Sequence, residues 1–513
     1  MAQTYHALPP LKRFLVAVTV MLGTLMVVLD TTIANVALPH MQAGLGASQE
    51  TISWVLTSYI VASAVATPLT GWLADRYGRR LLFSAAIAGF TVSSMLCGVA
   101  TTLPALVAAR LLQGVFGAFI VPLSQSAMYD INPPHKHAQA MAIWGMGVMV
   151  GPLLGPMVGG WLTDNFSWRW CFFVNVPLGA LGAVASWLLL ADTRRIERRF
   201  DLLGFGLLAL LLIAFQLALD RGTNRDWFDS VEIVVEAAVA VAALWMFVVH
   251  SLTARDPIVS LGLFRDRTFV SGLVLIAVMG GVLTAGSALI APFLQGLMGY
   301  SVQDAGMLVM PRGAGTMLGM LIAGRLANRT DPRMLIVGGM LLVGYSLHMM
   351  TGFTTDMNAR PVISSGLIQG FGIGFVVMPL NFVTFTTLKA QLRTDGAAMY
   401  SLLRNVGGSV GIAAMTALLA RNLQASHSSL AGNFDPAIQQ QMHLGVLERL
   451  GASAQTGFAV IDAEINRQAT LIAYIDDFWL MMWGVVLTAP LILLMRRPAR
   501  RRAGDAPVVD AGH

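Results

Sequence analysis

The chain has 513 residues, of which 56% are apolar and only 12% are charged. Soluble globular domains average about 25% charged residues, so this composition excludes a disordered protein, a disulfide scaffold and an ordinary soluble enzyme. A bilayer span needs about 20 mostly apolar residues, and the apolar residues would fill roughly 12–14 such spans. The two cysteines, Cys97 and Cys171, both lie in apolar runs and offer no disulfide framework or zinc spacing.

Apolar runs and the breaks between them predict fourteen membrane-spanning helices. In chain order, the predicted spans are residues 14–38, 51–73, 81–101, 105–128, 139–162, 169–190, 202–220, 231–251, 269–297, 306–327, 334–353, 361–387, 398–420 and 472–495. Of the 33 Lys and Arg residues, 23 lie in one set of alternate connections and seven in the other. The positive-inside rule therefore predicts that both termini are cytoplasmic. The net charge of +6 follows this membrane topology, so we expect no nucleic-acid partner and a multi-pass protein of the inner (plasma) membrane.

Three landmarks recur at nearly the same spacing, which indicates an internal repeat of six spans. The matching pairs are Gly71–Arg76 with Gly324–Arg329, Gln113 with Gln369, and Gly151 with Gly407, at offsets of 253, 256 and 256 residues. Parallel six-span repeats are a transporter architecture with the substrate site near the midplane. The predicted organisation is an N-terminal cytoplasmic tail (1–13), a first six-helix bundle (14–190), two inserted spans with linkers (191–268), a second six-helix bundle (269–495) and a C-terminal cytoplasmic tail (496–513).

The longest exposed stretch is the predicted external loop, residues 422–471. Residues 439–450 and 459–468 have helical patterning, and Asp435-Pro436 is typical of a helix start. This loop either caps the second bundle as a hairpin or presents a docking surface for a partner.

Two ionisable residues within the spans are the main functional candidates, because a charge inside a membrane is costly. Asp30 lies nine residues before Pro39, which places it roughly 13 Å deep at 1.5 Å per residue. Arg110 lies six residues after Pro104, roughly 9 Å deep, and its long side chain is expected to reach Asp30. Burial and a nearby cation act in opposite directions on a carboxyl group. We therefore predict that this pair couples transport to protons; the alternative is a static buried ion pair. Gly366 stands where the second bundle would repeat Arg110.

Polar and aromatic side chains within the spans predict a substrate cavity. Aromatic and Met side chains suit varied apolar ligands, although polar residues in spans also bond to neighbouring helices. Arg404 either reaches the cytoplasm or lines the inner vestibule, and Arg312 is expected at the outer interface. The candidate cavity residues are Asn35, Tyr59, Gln113, Gln125, Trp144, Gln295, Gln369, Asn381 and Arg404.

The connection after span 2, Gly71–Arg80, is predicted to be a tight cytoplasmic turn that acts as a conformational latch. We expect Asp75 to cap the start of span 3 and to pair with a nearby arginine. The candidate latch residues are Gly71, Asp75, Arg76, Gly78 and Arg79.

Span 5 carries a ridge of glycines that would let another helix approach closely. Its two prolines each remove a backbone hydrogen bond and predict a bend. The ridge could pack the helices, seal the pathway or act as a hinge. Its residues are Gly151, Pro152, Gly155, Pro156, Gly159 and Gly160.

The sequence lacks the motifs of several other classes of protein. It has no phosphate-binding glycine loop and no His-Glu-x-x-His metal motif. We therefore expect neither an enzyme nor a bound metal or cofactor, and no catalytic residues are assigned. The proton gradient is the expected energy source.

Seven segments, taken in order, resemble the major facilitator superfamily and in particular the 14-span drug:proton antiporters of the EmrB/QacA type. These segments are Leu29–Pro39, Trp54–Tyr59, Gly71–Arg80, Arg110–Gly114, Gly151–Gly160, Trp168–Gly179 and Pro257–Phe264. The resemblance is strongest to EmrB-like multidrug efflux permeases. It implies that Asp30 and Arg110 serve proton coupling and that the span-5 motif marks antiport. Asn328 stands where the first latch loop has Asp75, so the resemblance does not extend a latch role to the second loop.

The resemblance implies a proton-driven antiporter that expels amphipathic or hydrophobic drug-like compounds, a xenobiotic transport activity linked to antibiotic resistance. In a Gram-negative cell it also implies a periplasmic adaptor protein and an outer-membrane channel as partners. Two other functions stay open. One is a proton-coupled importer with the same fold, and the other is a membrane sensor or structural subunit that transports nothing.

Overall fold

The computed structural model describes residues 9–133, 136–192, 195, 199–222, 225–327, 329–388, 392–432 and 454–496, and it has no strand within these ranges. The long helices are α1 (Pro10–Leu45), α2 (Trp54–Ala66 and Leu69–Tyr77), α3 (Arg79–Val99), α4 (Leu103–Asp130), α5 (His137–Asn165), α6 (Trp170–Leu189), α7 (Leu202–Gly222), α8 (Val231–Thr253), α9 (Arg267–Pro292), α10 (Val302–Leu326), α11 (Pro332–Met350), α12 (Arg360–Thr386), α13 (Arg393–Gly432) and α14 (Ala454–Thr488). Thirteen helices of the described chain are long and apolar enough to cross a membrane, or fourteen when the two parts of α2 count as one span. The predicted all-helical membrane fold with fourteen spans is confirmed.

The second span is broken. Its two parts meet at an angle of 58°, and Pro68 lies at the break. A proline ring clashes with the carbonyl four residues earlier and supplies no N–H, which bends a helix or ends it. The bend brings the second part of α2, which carries the predicted latch, into contact with α13.

The last two spans are much longer than predicted. α13 has 40 residues, about 60 Å at 1.5 Å per residue, whereas the hydrocarbon core is about 30 Å thick. Because α13 runs to Gly432 and α14 starts at Ala454, the described parts of the predicted external loop are helical extensions. The helical prediction for residues 459–468 is confirmed, while Asp435-Pro436 and residues 439–450 lie outside the described residues.

The helix packing repeats between the two sets of six spans. α1 packs on α5 as α9 packs on α13, and α4 packs on α2 and α3 as α12 packs on α10 and α11. A similar threonine-to-glycine hydrogen bond joins the helices of both pairs: Thr32 Oγ1 donates to the Gly151 carbonyl at 3.4 Å, and Thr284 Oγ1 donates to the Gly408 carbonyl at 3.0 Å. The residue bounds of the two bundles stay a prediction.

Contacts between the two repeats are concentrated at the end that the basic connections predict to be cytoplasmic. There α5 packs on α10 and α12, and α13 packs on α4 and α2. Gly145 leaves room for Met320, whose Sδ would lie 2.9 Å from a Cβ at that position. Toward the other end, Asn35 on α1 and Gln295 after α9 are exposed. The described chain is therefore joined at its inner end.

The two inserted spans, α7 and α8, pack on each other, and α7 also contacts α2 and α13. Arg221 at the end of α7 forms ion pairs with Glu232 and, at 3.8 Å, with Glu236 on α8. The two inserted spans thus lie beside both repeats, next to α2 of the first and α13 of the second.

Candidate functional site

A buried carboxylate on α1 is held by donors from two other helices. Arg110 Nη1 on α4 lies 2.6 Å from Asp30 Oδ2. Gln113 Nε2 and Asn175 Nδ2 donate to Asp30 Oδ1 at 2.9 Å and 2.7 Å. The Asp30 and Arg110 side chains are at most 1% exposed. The structure therefore brings the two predicted residues together, within one repeat, as the depth argument expected.

The guanidinium is surrounded on its other sides. Arg110 Nη1 also donates to Gln113 Oε1 at 2.7 Å, and Arg110 Nε donates to the Val55 carbonyl at 3.1 Å. The Tyr59 ring centroid lies 4.4 Å from Arg110 Cζ and that of Phe172 lies 5.7 Å away. An aromatic face at this distance attracts a cation. These contacts orient the guanidinium toward Asp30.

The partners of this carboxyl group are all hydrogen-bond donors. An ionised carboxylate only accepts hydrogen bonds, so Arg110, Gln113 and Asn175 satisfy it without a competing donor. The carboxylate thereby joins α1 to α4 and α6.

The glycine ridge of α5 lies against the turn of α1 that carries Asp30. A Cβ at Gly151 would lie 2.8 Å from Val28 Cγ1 and 3.2 Å from the Leu29 nitrogen, and one at Gly155 would overlap the Thr32 side chain. Gly159 faces Ile33 in the same way, with 3.3 Å from its Cβ position to Cα. Only glycine allows this approach, so α5 and the Asp30 turn must move together or part.

The other three predicted ridge residues do not take part in this close contact with α1. A Cβ at Gly160 would meet nothing within 4 Å, and Pro152 and Pro156 are exposed. α5 continues as one helix through both prolines.

The inner end is joined by side chains at equivalent positions of the two repeats. Gln125 Nε2 donates to Asn381 Oδ1 at 2.9 Å, and these residues are 256 positions apart, the offset of the repeat. The rings of Tyr129 and Phe385, also 256 positions apart, have centroids at 5.4 Å. The Tyr129 hydroxyl donates to the Asn381 carbonyl at 2.9 Å. A residue that meets its own copy lies on the axis relating the repeats, so these contacts form the centre of the inner closure.

The predicted latch also joins the two repeats. Arg79 Nη1 is ion-paired with Asp130 Oδ2, and Arg79 Nη2 donates to Thr394 Oγ1 of the second repeat at 2.8 Å. Arg393 Nη1 lies 3.8 Å from Asp130 Oδ1. At Gly71, a Cβ would overlap the Asp395 carboxylate. The loop thus locks α2 and α4 to the start of α13.

The N-cap position of α3 is occupied by Gly78 rather than Asp75, and the interaction of Asp75 with the start of α3 stays a prediction. The residue before α3 is Gly78, with a φ of 86° and no side-chain capping bond. This positive φ explains the glycine, because only glycine adopts it without strain. Arg76 is exposed and its Cζ lies 5.4 Å from the Trp72 ring centroid. The second loop is only partly visible, since Asn328 lies outside the described residues.

The nine predicted cavity residues do not line one cavity. Tyr59 and Gln113 belong to the Asp30 network, and Trp144 Nε1 donates to Ser124 Oγ at 2.8 Å. Gln125 and Asn381 bond to each other. In a membrane such groups satisfy their donors on a neighbouring helix where water is absent, which is why these five are buried contacts rather than cavity walls.

The other four predicted cavity residues are dispersed. Asn35 is exposed and bonds to the Thr31 carbonyl of its own helix, and Gln295 is exposed. Arg404 is half-buried on α13, and its carbonyl faces Gly280 of α9. Gln369 lines a cavity of the second repeat.

That cavity lies in the second repeat, next to an arginine that the sequence analysis misplaced. Arg312 is 8% exposed rather than interfacial. The predicted span that contains Arg312 starts at residue 306, but α10 starts at Val302. Arg312 is therefore ten residues, about 15 Å, into the helix, near the middle of a membrane about 30 Å thick.

Several polar residues of these contacts were not anticipated. Asn175, Asp130 and Thr394 each complete a contact described above, and Asp477 on α14 is fully buried, with neither carboxylate oxygen bonded within the described chain. A signal existed for Asn175, which lies in the Trp168–Gly179 segment. Within the part of the chain that the structure describes, no group of three or more His, Cys, Asp or Glu side chains could hold a metal ion.

Comparison with known proteins gives consistent relatives. The family model described as Major Facilitator Superfamily matches residues 20–412. The chain is 35% identical to the fatty acid resistance protein FarB of Neisseria gonorrhoeae, over 97% of this chain and 99% of that one. It is 34% identical to the multidrug export protein EmrB of Haemophilus influenzae (94% and 96%) and 33% identical to EmrB of Escherichia coli strain K12 (94% and 95%).

Solved structures share the fold at low sequence identity. The human organic anion transporter MFSD10 (TETRAN) superposes with a TM-score of 0.60 at 16% identity, over 93% of this chain and all of that one. The proton:xylose symporter XylE superposes with a TM-score of 0.62 at 13% identity, over 94% and 95%.

Proposed function

Because the chain belongs to the major facilitator superfamily, as one of its EmrB-like members, we propose that it is a proton-driven multidrug efflux antiporter working by alternating access. It is a multi-pass inner-membrane protein, and its expected substrates are amphipathic or hydrophobic compounds. The observation that carries the proton coupling is the fully buried Asp30–Arg110 pair, packed against the glycine ridge of α5. The names of the EmrB relatives support export of drugs.

In the proposed cycle, the proton and the drug favour opposite states. With the inner end joined, Asp30 takes up a proton from the outer side, which breaks a bond of the donor network and loosens α1 from α4 and α6. The inner contacts then open, the proton leaves to the cytoplasm, and a drug binds in its place. A ligand moves such an equilibrium only by binding the two states differently. Protonation meets that condition because the three donors suit only the ionised carboxylate.

The test uses everted membrane vesicles with a respiration-generated pH gradient. Addition of an amphipathic cation such as ethidium should collapse part of the gradient in the wild type and not in Asp30→Asn. The matched control is Asp164→Asn, an exposed acid at the outer end of α5, which should behave as wild type. Drug-dependent proton movement that persists in Asp30→Asn would place the proton site elsewhere.

Two further results would indicate the other two functions. Uptake of solute into intact cells together with protons indicates an importer. A complete lack of coupled proton movement across a broad panel of drugs indicates a protein that does not transport.

We also propose the partners that the resemblance implies, a periplasmic adaptor protein and an outer-membrane channel. The support is the length of α13 and the start of α14, which extend beyond the membrane on the outer side. His427 of α13 lies 3.4 Å from Asp462 of α14, so the two extensions are held together. Photocrosslinkers placed on exposed positions of these extensions should capture the adaptor, and crosslinkers on the exposed face of α8 should not. Equal capture from both places would contradict the proposal.

A further inference from the structure

The second repeat contains a buried cation for which the described chain supplies no counter-ion. Arg312 Nη1 donates to Ser287 Oγ at 3.1 Å, and Nη2 donates to the Leu283 carbonyl at 3.2 Å. Both partners are neutral. Within the described residues, no carboxylate lies within 4 Å of this guanidinium.

The repeat offsets show how this site departs from the Asp30 network. An offset of 256 places Gly366 at the position of Arg110 and Gln369 at that of Gln113, and an offset of 253 places Arg312 at the position of Tyr59. The second repeat thus brings its guanidinium from α10 instead of α12. Residues 279–286 of α9, which include every position that an offset of 249 to 256 gives for Asp30, contain no acidic residue. The second repeat therefore has a buried arginine and a buried amide but no acid in place of Asp30.

The vacant side of this arrangement is a cavity. Arg312 and Gln369 line it together with Gly366, and apolar walls come from Ile290, Leu347 and Phe478. It is a narrow cleft that opens to solvent, so a ligand would place a small polar group in it rather than a whole drug molecule. Gln369 is 1% exposed, and its Nε2 has no hydrogen-bond partner in the described chain.

These observations specify the ligand's chemistry. A buried N–H without a hydrogen-bond partner is costly, and a buried charge without a partner costs more. A carboxylate would accept from both Gln369 and Arg312, and guanidinium pairs with carboxylate more strongly than neutral donors do. The apolar walls would surround the carbon atoms next to that group.

We infer that Arg312 and Gln369 form a subsite that binds the carboxylate of amphipathic carboxylic acids during export. The inference rests on the proposed efflux function and adds a substrate class to it. It also separates two tasks: the first repeat holds the proton on Asp30, and the second repeat holds the negative charge of the substrate.

Binding to the purified full-length protein in neutral detergent tests the subsite. The probes are 2-naphthoate and its uncharged counterpart, 2-naphthamide, and the readout is the ratio of their Kd values. The wild type should prefer the acid at least about tenfold, which corresponds to about 1.4 kcal/mol. Arg312→Gln should bring the ratio close to one, Gln369→Leu should lower it several-fold, and Arg312→Lys should keep part of it. The matched control, Arg360→Gln, changes an exposed arginine at the start of α12 and should keep the wild-type ratio.

Two results would overturn the inference: a wild-type protein without preference for the acid, or an Arg312→Gln variant that elutes as a folded monodisperse protein and keeps the preference. If Arg312→Gln does not fold, an unchanged ratio in Gln369→Leu overturns it. Failure of the efflux proposal has a different signature, because it would appear as a complete lack of drug-dependent proton movement in the wild type, whatever the binding ratio.

Discussion

The Asp30–Arg110 pair predicts a large energetic coupling that a double-mutant cycle can measure. Asp30→Asn replaces one carboxylate oxygen by an NH2 group. In one orientation that group faces Arg110 Nη1, and in the other it faces the Gln113 and Asn175 amides, so two donors oppose each other either way. It also leaves Arg110 as a buried cation without its anion. Breaking a buried pair in this way costs about 3–5 kcal/mol.

Arg110→Gln should cost a similar amount, since it strands the carboxylate. The double variant removes both charges, so its loss should fall short of the sum of the single losses by at least about 2 kcal/mol, in the range measured for close charge pairs. The measurement is the free energy of unfolding from SDS titration in dodecylmaltoside micelles.

The control cycle uses the exposed pair of Arg467 and Asp356, whose nearest atoms are 3.5 Å apart. Arg467→Gln and Asp356→Asn should show a coupling below about 1 kcal/mol, as exposed pairs do. Losses for Asp30 and Arg110 that add to within about 0.5 kcal/mol would refute the reasoning, because the two charges would then not stabilise each other.

Three further substitutions test the glycine ridge of α5, the predicted latch and the amide of Asn175. Gly155→Leu should destabilise the protein by about 1–3 kcal/mol through overpacking, whereas Gly160→Ala should change unfolding by less than about 0.5 kcal/mol. Asp130→Asn should increase the spin-label distance across the inner end, because it removes the ion pair with Arg393 of the second repeat. Arg80→Gln, which changes the residue next to Arg79, should leave that distance unchanged. Asn175→Leu should cost about 1–3 kcal/mol of stability and weaken drug-dependent proton movement in vesicles.

Each of these predictions has a contradicting outcome. Equal unfolding energies for Gly155→Leu and Gly160→Ala would mean that the ridge does not determine the approach of α1. An unchanged spin-label distance across the inner end in Asp130→Asn would show that the latch does not hold that end closed. Full proton coupling in Asn175→Leu would show that this amide is structural only.

The span pattern was predictable because hydrocarbon thickness sets the length of each apolar run. The same reasoning predicted that Asp30 and Arg110 would meet, since depth follows from residue count along a helix. It failed for Arg312, where the apolar run begins four residues after the helix does. The break at Pro68 was also missed, because the whole segment is apolar enough to read as one span.

Partners across helices were harder to predict than depth. Which face of α6 meets α1 is decided by packing, so Asn175 could not be assigned to Asp30 from spacing alone. The cavity residues could not be assigned from the sequence for a related reason. A glutamine such as Gln125 has the same sequence signature whether it bonds to another helix or lines a cavity, and only the helix arrangement distinguishes the two.

The contacts between Gln125 and Asn381 and between Tyr129 and Phe385 join equivalent positions of the two repeats. In a symmetric dimer of identical six-helix units, a residue on the twofold axis touches its own copy, and any mutation alters both sides at once. Fusion of the two units into one chain removes that restriction, so each side can diverge alone. Phe385 has no hydroxyl, and the mirror image of the Tyr129 bond to Asn381 therefore cannot form. The hydrogen bonding at this junction is therefore one-sided, because Gln125 and Tyr129 of the first repeat both donate to Asn381 of the second.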